Sequence, residues 1–385
     1  MNRKKSSDKY NMKLTTPIFD KTELENIKDC LDSGWVTQGP FVARFEKQIA
    51  SEHKVKYAIA TTSCTAALHL SVIALGIKPG DEVIVPAFTW ITSASCVEYV
   101  GAKVIFSDVD PDTYNIDPDA LLSKITDKTK AIIVVHLFGF PAPMDEIMKI
   151  ARDNSLMVIE DAACAIGASY KGKMVGNIGN IGCFSFHPRK IITTGEGGAI
   201  TTDSETLAKL VTSLRNHGST GISVSSHEIT GPWSMAEFPN LGFNYRMSDI
   251  QASIGVAQMG KLKELVKERR RLAEIYNELL CNNKKIRTPR KSEGHTYQSY
   301  VIKLADVVGK KRNMVMSGLE NKGIETRPGT HAVHRLTYYR NKYNIKANEY
   351  PNASNCEDTT ITLPLYPNMK EVEQNYVVNA LNECF

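Results

Sequence analysis

The sequence has no long hydrophobic run and no cysteine pattern of the kind that binds metals. No apolar stretch approaches the roughly 18 residues of a membrane span, and the polar segment Met1–Tyr10 lacks the apolar core of a signal peptide. Four of the eight cysteines lie in apolar or small-residue runs: Cys64, Cys96, Cys164 and Cys183. We therefore expect a cytoplasmic protein with reduced, partly buried thiols.

A strong excess of one charge is also lacking. The formal net charge of +5 is small for 385 residues, and Lys and Arg are interspersed with acidic residues, so nucleic-acid binding gets little support. The densest basic run, Lys267–Arg271, lies in a helical pattern beside Glu264 and Glu268. We interpret this run as a solvated helix face.

Between Lys56 and Ile200, short β-branched runs alternate with amphipathic helical stretches. This order predicts an α/β fold in which a mostly parallel sheet is covered by helices. The predicted strands are Tyr57–Thr61, Glu82–Val85, Lys103–Phe106, Ala131–Val135, Leu156–Glu160, Cys183–Phe186 and Ala199–Thr202. The clearest predicted helices are Thr65–Leu75, Trp90–Val100 and Asp145–Asn154.

A long helical pattern from about Ser248 to Leu280 is expected to bridge two domains, since the chain exceeds the usual size of one compact domain. The pattern changes after it. The predicted later elements are a strand at Tyr300–Leu304, a helix near Lys311–Lys322 and a last helix from Glu371. We predict a large domain over residues 12–257 and a smaller C-terminal α/β domain over residues 258–385.

Ligands in open α/β sheets bind at the carboxyl ends of the strands, where this chain carries several polar or aromatic side chains. Thr62–Ala67 leads into a helix whose first N–H groups suit a phosphate, although a plain N-cap fits the same residues. Asp161 either caps a helix or pairs with a protonated pyridine nitrogen. Trp90 either packs in the core or stacks on a flat heteroaromatic ring.

The segment around Lys190 carries the strongest signal. A strand stops at Phe186, Pro188 turns the chain, and the Gly-rich stretch at 195–198 lets backbone pack closely around Lys190. A Schiff-base lysine needs this placement at a strand end, with partial desolvation and a pKa below the free value of about 10.4. We therefore predict that Lys190 binds a cofactor aldehyde and is not an ordinary surface lysine.

Five motifs together have a specific resemblance. They are Ser-Cys-Thr-Ala-Ala-Leu-His-Leu at 63–70, Glu-Asp-Ala-Ala-Cys-Ala-Ile-Gly-Ala at 160–168, Ser-Phe-His-Pro-Arg-Lys at 185–190, Gly-Glu-Gly-Gly at 195–198 and Asn-Tyr-Arg-Met-Ser-Asp-Ile-Gln at 244–251. In this order and spacing, the chain resembles the DegT/DnrJ/EryC1/StrS family from about Ile18 onward. The resemblance implies a sugar aminotransferase of the aspartate aminotransferase fold (fold type I), with pyridoxal 5'-phosphate as its cofactor.

The resemblance also implies roles for single residues. Lys190 would bind the cofactor and move the substrate proton, Asp161 would pair with the pyridinium nitrogen, and Trp90 would stack on the ring. The implied phosphate contacts are Cys64, Thr65 and Ser185 from one subunit and Asn244 from its neighbour, in a homodimer with shared active sites. The implied substrate contacts are His187, Arg246 (for the diphosphate of a sugar nucleotide), Arg327, His331 and His334.

Three features limit these assignments. His331 and His334 have no third ligand in view, so we predict no metal site, and which of the two contacts substrate stays open. Cys64 replaces a Gly of many members, which narrows the conformations of the loop. Cys164 replaces a Gln that commonly contacts the cofactor's phenolic oxygen, and we therefore give Cys164 no catalytic role.

The expected reaction moves the amino group of L-glutamate onto a nucleotide-linked 4-keto-6-deoxy sugar, for O-antigen, capsule or other glycan precursors. Amination at C3 is the main alternative.

Other functions on this fold get less support. A pyridoxal-dependent sugar dehydratase has His in place of Lys190, and a Cys-dependent lyase needs an activated thiol that the sequence lacks. The intact set of Lys190, Asp161, Ser185 and Asn244 argues against a protein that only binds the cofactor and catalyses no reaction. The glycine signatures of nicotinamide dehydrogenases and P-loop hydrolases are missing.

Overall fold

The structure, a computed structural model, describes residues 11–219, 235–305, 309–346 and 348–385. The strands are β1 (Tyr57–Thr61), β2 (Glu82–Pro86), β3 (Phe88–Thr89), β4 (Lys103–Ser107), β5 (Thr129–Val135), β6 (Met157–Asp161), β7 (Ser169–Tyr170), β8 (Lys173–Met174), β9 (Ile181–Ser185), β10 (Gly198–Thr202), β11 (Ile286–Arg287), β12 (Tyr300–Leu304), β13 (His331–Ala332) and β14 (Thr360–Leu363).

The α-helices surround these strands. They are α1 (Lys21–Asp32), α2 (Pro40–His53), α3 (Cys64–Ala74), α4 (Thr92–Tyr99), α5 (Pro118–Leu122), α6 (Met144–Asp153), α7 (Glu205–Arg215), α8 (Asp249–Leu280), α9 (Gly309–Asn321), α10 (Thr337–Tyr343), α11 (Pro351–Thr359) and α12 (Glu371–Asn382). No helix in the described ranges is long and apolar enough to cross a membrane.

A central sheet of seven strands has the order β1-β10-β9-β6-β5-β2-β4. Its strands β9, β6, β5, β2 and β4 pair in parallel, while β10 runs antiparallel to both of its neighbours. The predicted α/β fold with a mostly parallel sheet is therefore confirmed. Each of the seven predicted strands begins and ends within two residues of the observed one.

The sheet is covered on both faces, because successive residues of its inner strands point to opposite sides. In β2, Val83 and Val85 belong to one apolar cluster, whereas Ile84 belongs to another. In β5, Ile133 and Ile132 divide in the same way. Burial on both faces explains why these strands are continuous apolar runs and do not alternate with polar residues.

Helix α8 extends from the central sheet to the C-terminal elements. It begins with a capping box in which Ser248 accepts from the backbone N–H of Gln251 and the Gln251 side chain accepts from the backbone N–H of Ser248. The helix runs without interruption across positions 257 and 258, so the domain division there stays a prediction. Arg269 is buried, and the interpretation of the basic run as a solvated face is wrong at that residue.

A second apolar cluster lies around the three-stranded sheet β11-β12-β14. It combines Leu272 and Tyr276 of α8 with residues of β12, β14 and α12. Met12 also belongs to this cluster and forms a parallel bridge with Ile324, so the start of the described chain packs against its C-terminal part. The short strand β13 pairs instead with β3, which connects the C-terminal part to the edge of the central sheet where β2 ends.

Candidate active site

Asp161 is the last residue of β6, and the residue is 5% exposed. Its Oδ2 accepts a hydrogen bond from the Ser93 hydroxyl at 2.7 Å, and its Oδ1 accepts from the Ala163 N–H at 3.2 Å. Burial raises the pKa of the Asp161 carboxyl, although these hydrogen bonds and the nearby Lys190 oppose the shift. A cationic partner would stabilise the carboxylate, because a buried charge without one is costly.

Lys190 lies in the loop after β9. Its backbone N–H donates to the His187 carbonyl at 2.8 Å, and its Nζ donates to the Cys164 Sγ at 3.1 Å. Burial acts to lower the pKa of the Lys190 ammonium, but the Cys164 thiol, a second thiol and the Asp161 carboxylate raise it more strongly. The prediction of a lowered pKa is therefore wrong, because the acidic groups around the amine outweigh its burial.

The start of α3 lies against the glycine-rich segment. Ser63 caps the helix by accepting from the Ala66 N–H at 3.1 Å. Gly198, the first residue of β10, approaches so closely that a β-carbon there would lie 2.4 Å from the Ser63 carbonyl carbon and 2.5 Å from the Cys64 nitrogen. Ser185, at the end of β9, is paired with Gly198. The first amides of α3 and the backbone of Ser185 therefore lie in one small region, and the start of a helix is suited to a phosphate.

We expect Gly198→Ala to weaken cofactor binding at least about tenfold, since its methyl group must displace backbone at the start of α3. Gly260→Ala in α8 is the matched control, because a β-carbon there meets nothing within 4 Å. That control should bind the cofactor normally and gain about 0.5–1 kcal/mol of stability. Cofactor titration and thermal unfolding measure both effects. Equal cofactor affinity in the two variants would contradict the assignment of this region to the phosphate.

The aromatic candidate Trp90 follows β3 and is 59% exposed, so core packing does not account for it. Its ring lies 5.5 Å from that of His331, which the pairing of β13 with β3 brings alongside.

His334 differs from His331, because it is 1% exposed and its Nε2 lies 3.2 Å from the Ser354 hydroxyl. Burial lowers the pKa of His334 to about 4. The assignment of His334 to substrate binding therefore fails, and His331 is the accessible histidine of the two.

The segment that carries Asn244 and Arg246 passes beside the start of α3. The Thr62 N–H donates to the Tyr245 carbonyl at 3.0 Å. Asn244 is exposed, and the Arg246 guanidinium donates to the Asn216 Oδ1 at 2.6 Å. Action of Asn244 on a neighbouring subunit stays a prediction.

Arg189, in the Lys190 loop, and Arg327 influence each other electrostatically. Burial and the charge of Arg327 lower the pKa of the Arg189 guanidinium, while Glu325 acts in the opposite direction. Arg327 is exposed and forms an isolated bridge with Thr362. An anionic ligand group would relieve the repulsion between the two guanidiniums. His187 is half-buried two positions before Arg189, and its Nδ1 accepts from the Arg189 N–H.

Sequence reasoning missed two residues of this region. Cys164 was given no catalytic role, yet its thiol is the hydrogen-bond partner of the Lys190 amine. Cys164 lies in the same motif as Asp161, and this was the feature of the sequence that could have indicated its place in the site. Arg189 stands next to Lys190 in sequence, but nothing local indicated that Arg327 would come close to it. Elsewhere, the free cysteines Cys96 and Cys183 are buried, as expected.

The residues at this sheet edge fit pyridoxal phosphate. Asp161 offers a buried carboxylate for a ring cation, Lys190 offers an amine, and the start of α3 with Gly198 offers a region shaped for a phosphate. In the part of the chain that the structure describes, no group of three or more His, Cys, Asp or Glu could hold a metal ion.

Comparisons with known proteins agree with this chemistry. A family model described as the DegT/DnrJ/EryC1/StrS aminotransferase family matches residues 17–382. The chain is 38% identical to the GDP-perosamine synthase of Caulobacter vibrioides, with 98% of this chain and 99% of that protein covered. It is also similar, at 28% identity and a TM-score of 0.90, to a Streptococcus pneumoniae protein assigned as a sugar aminotransferase and solved in its pyridoxal-phosphate form. That alignment covers 98% of this chain and 100% of the other.

A further solved structure shares the fold. It is a mutant of GDP-4-keto-6-deoxymannose-3-dehydratase with bound GDP-perosamine, 27% identical to this chain, with a TM-score of 0.87. The alignment covers 96% of this chain and 100% of that one. The fold is therefore shared by proteins named for different reactions, and the side chains of the site must distinguish them.

Proposed function

Because the chain belongs to the DegT/DnrJ/EryC1/StrS aminotransferase family, we propose that it transfers the amino group of L-glutamate to C4 of a nucleotide-linked 4-keto-6-deoxy sugar in the cytoplasm, for glycan precursors. The enzyme is a pyridoxal-phosphate-dependent sugar aminotransferase of fold type I, as its sequence predicted. The similarity to a GDP-perosamine synthase supports a sugar nucleotide as the acceptor. The choice of C4 over C3 rests on the family resemblance.

The observation that carries the proposal is the placement of Lys190 beside Asp161 and Cys164 at the carboxyl edge of the sheet. A dehydratase is disfavoured because lysine occupies the position where that class has histidine. A purely binding role is disfavoured as well, because the chain keeps the full set of residues that the resemblance assigns to the cofactor, among them Lys190, Asp161, Ser185 and Asn244.

When bound, pyridoxal phosphate supplies an electron sink for the carbon that gains or loses the amino group. Asp161 would hold the proton on the ring nitrogen, since its carboxylate is buried and a cationic ring would stabilise it. Lys190 would carry the proton to and from that carbon. Trp90 would cover one face of the ring, and the amides of Cys64 and Thr65 would hold the phosphate together with the Ser185 hydroxyl.

Two unlike substrates must use this site in turn. Arg189, Arg327 and His331 would bind the carboxylates of glutamate, and Arg246 would meet the diphosphate of the sugar nucleotide. The like charges of Arg189 and Arg327, which influence each other, favour anionic ligands, because a bound anion would offset them.

We expect glutamate alone to convert the yellow enzyme to its pyridoxamine form, because the donor half-reaction needs no acceptor. A 4-keto-6-deoxy nucleotide sugar should then restore the yellow form and give the 4-amino sugar, with parallel double-reciprocal lines in steady state. Absorbance and NMR of the product measure both steps. Nitrogen on C3 would overturn the position but keep the enzyme class, whereas failure of glutamate to convert the cofactor would contradict the proposed donor.

The proposed assembly is a homodimer with shared active sites. The segment just before Asn244 exposes large apolar side chains: Met235 is 85% exposed, Phe238 58% and Leu241 91%. Three such residues within seven positions favour a protein interface over open solvent. Asn244 itself is exposed and free to reach across such an interface.

Mixed dimers test this assembly. Lys190→Ala protein combined with an Asn244→Ala Arg246→Ala double variant should recover up to about a quarter of the activity, since one of the two sites in each mixed dimer keeps all three residues. Each parent alone should be inactive. Tagged subunits and mass measurement verify the mixing. An absence of recovery in verified mixed dimers would assign Asn244 and Arg246 to their own subunit.

A further inference from the structure

Gln298 lies directly before β12 and is 8% exposed. Its Nε2 donates a hydrogen bond of 2.7 Å to the backbone carbonyl of Arg189, the residue that precedes Lys190. The Ser299 hydroxyl donates to Gln298 Oε1 at 3.0 Å, which fixes the orientation of the amide. A side chain 109 positions away in sequence thus holds the peptide that presents Lys190.

The backbone that carries Gln298 is held in an unfavourable conformation. Tyr297 has φ of +48°, a left-handed value that a bulky residue adopts at a cost of about 1–3 kcal/mol. The buried Arg269 guanidinium donates to the carbonyls of Tyr297 at 3.3 Å and Gln298 at 3.1 Å. Burial lowers the pKa of Arg269 to about 10. The same guanidinium also donates to the Leu365 carbonyl and the Thr15 hydroxyl, so it connects the turn to other parts of the fold.

The opposite side of the turn contacts the loop after β5. The Thr296 N–H donates to the Gly139 carbonyl at 3.1 Å. A β-carbon at Gly139 would lie 3.1 Å from both the Cys164 carbonyl and the Gln298 nitrogen. The turn at 295–299 is therefore packed between α8 and the motif that contains Cys164, so the Gln298 amide has little freedom to leave the Arg189 carbonyl.

We propose that Gln298 is a positioning residue for Lys190. The amide acts through the Arg189 peptide and limits the conformations of the loop, so that the Lys190 amine points to one place at the sheet edge. The left-handed backbone at Tyr297 and the Arg269 guanidinium, which donates to the carbonyls of Tyr297 and Gln298, fix where this amide lies. The inference rests on the role of Lys190 in the proposed function and adds a residue to the reaction that no motif around Lys190 contains.

The test compares Gln298→Met with Gln374→Met. Gln374 is a matched control, because it is also buried and donates at 2.8 Å to a backbone carbonyl, that of Leu272. Each variant loses one hydrogen bond to a backbone carbonyl. Only Gln298→Met should bind pyridoxal phosphate several-fold more weakly, label more slowly at Lys190 with borohydride, and lose about ten- to hundredfold in kcat of the glutamate half-reaction with little change in KM.

Gln298→Glu supplies a pH signature. An ionised carboxylate cannot donate to the Arg189 carbonyl, whereas its protonated form can. Burial raises the pKa of such a carboxyl, so cofactor affinity and Lys190 labelling, each relative to wild type, should recover as the pH falls through that raised pKa. Equal effects of Gln298→Met and Gln374→Met, or a flat ratio for Gln298→Glu across pH, would overturn the proposal. Wild-type enzyme that labels at Lys190 but does not convert glutamate would instead contradict the proposed function.

Discussion

Lys190→Ala protein will lose at least about 10⁴-fold in the rate of amino transfer, because one side chain serves as nucleophile and as proton carrier. Wild-type enzyme will be yellow, and borohydride will fix the cofactor to the peptide that contains Lys190. The position of the amine beside Cys164 and Asp161 is the structural reason for this expectation. Absorbance, single-turnover rates with glutamate and peptide mass mapping measure the three results.

Lys303→Ala is a matched control for this change. Lys303 is also buried, and its Nζ donates to the Pro111 carbonyl at 3.2 Å, outside the site. The variant should keep its colour and its turnover. If borohydride labels a peptide that does not contain Lys190, the assignment of Lys190 as the cofactor-binding residue is wrong.

Asp161→Asn will reduce the glutamate half-reaction by about 10²- to 10⁴-fold. The neutral amide retains the shape of the carboxyl and can accept from Ser93, but it cannot balance a cationic ring nitrogen, and the loss of one member of a buried charge pair costs about 3–5 kcal/mol. Ser93→Ala removes only one hydrogen bond to the carboxylate, so its effect should be about tenfold. A normal rate in Asp161→Asn would show that the carboxylate is not the partner of the ring.

The same variant should be more stable than wild type when no cofactor is bound. Because burial raises the pKa of Asp161 in the folded protein, its ionised form opposes folding at neutral pH. The advantage of Asp161→Asn should be present at pH 7 and should shrink as the pH falls through the raised pKa toward the ordinary value of about 3.9. Thermal unfolding of cofactor-free protein across this range measures it. A site residue that destabilises its own fold is expected where function sets the sequence.

The elements of the central sheet were predictable because their signals are local. Fully buried parallel strands are short β-branched runs, and the helix from Ser248 has both a capping box and a sustained apolar period. Lys190 and Asp161 were predicted for the same reason, since Asp161 ends β6 and Lys190 follows shortly after the end of β9. Parallel strands bring their carboxyl ends to one edge, so position in sequence already implied position in the site.

Other features depended on packing between segments that are distant in sequence. The sequence alone did not distinguish His331 from His334, because only the pairing of β13 with β3 exposes one and buries the other. The lowered pKa expected for Lys190 was wrong because burial was the only influence that the sequence indicated. The thiols and the carboxylate that outweigh it come from other strand ends.

The sequence by itself determined the sheet and indicated the lysine and carboxylate to which we assign the chemistry, because strand burial and helix capping are properties of a few adjacent residues. The tertiary structure alone decided which distant side chains support that chemistry. Arg269 looked like one more charge on a solvated helix, and Gln298 had no signal at all. Their roles arise because the turn before β12 folds against both α8 and the Lys190 loop, so that each side chain meets a backbone carbonyl that no local pattern specifies.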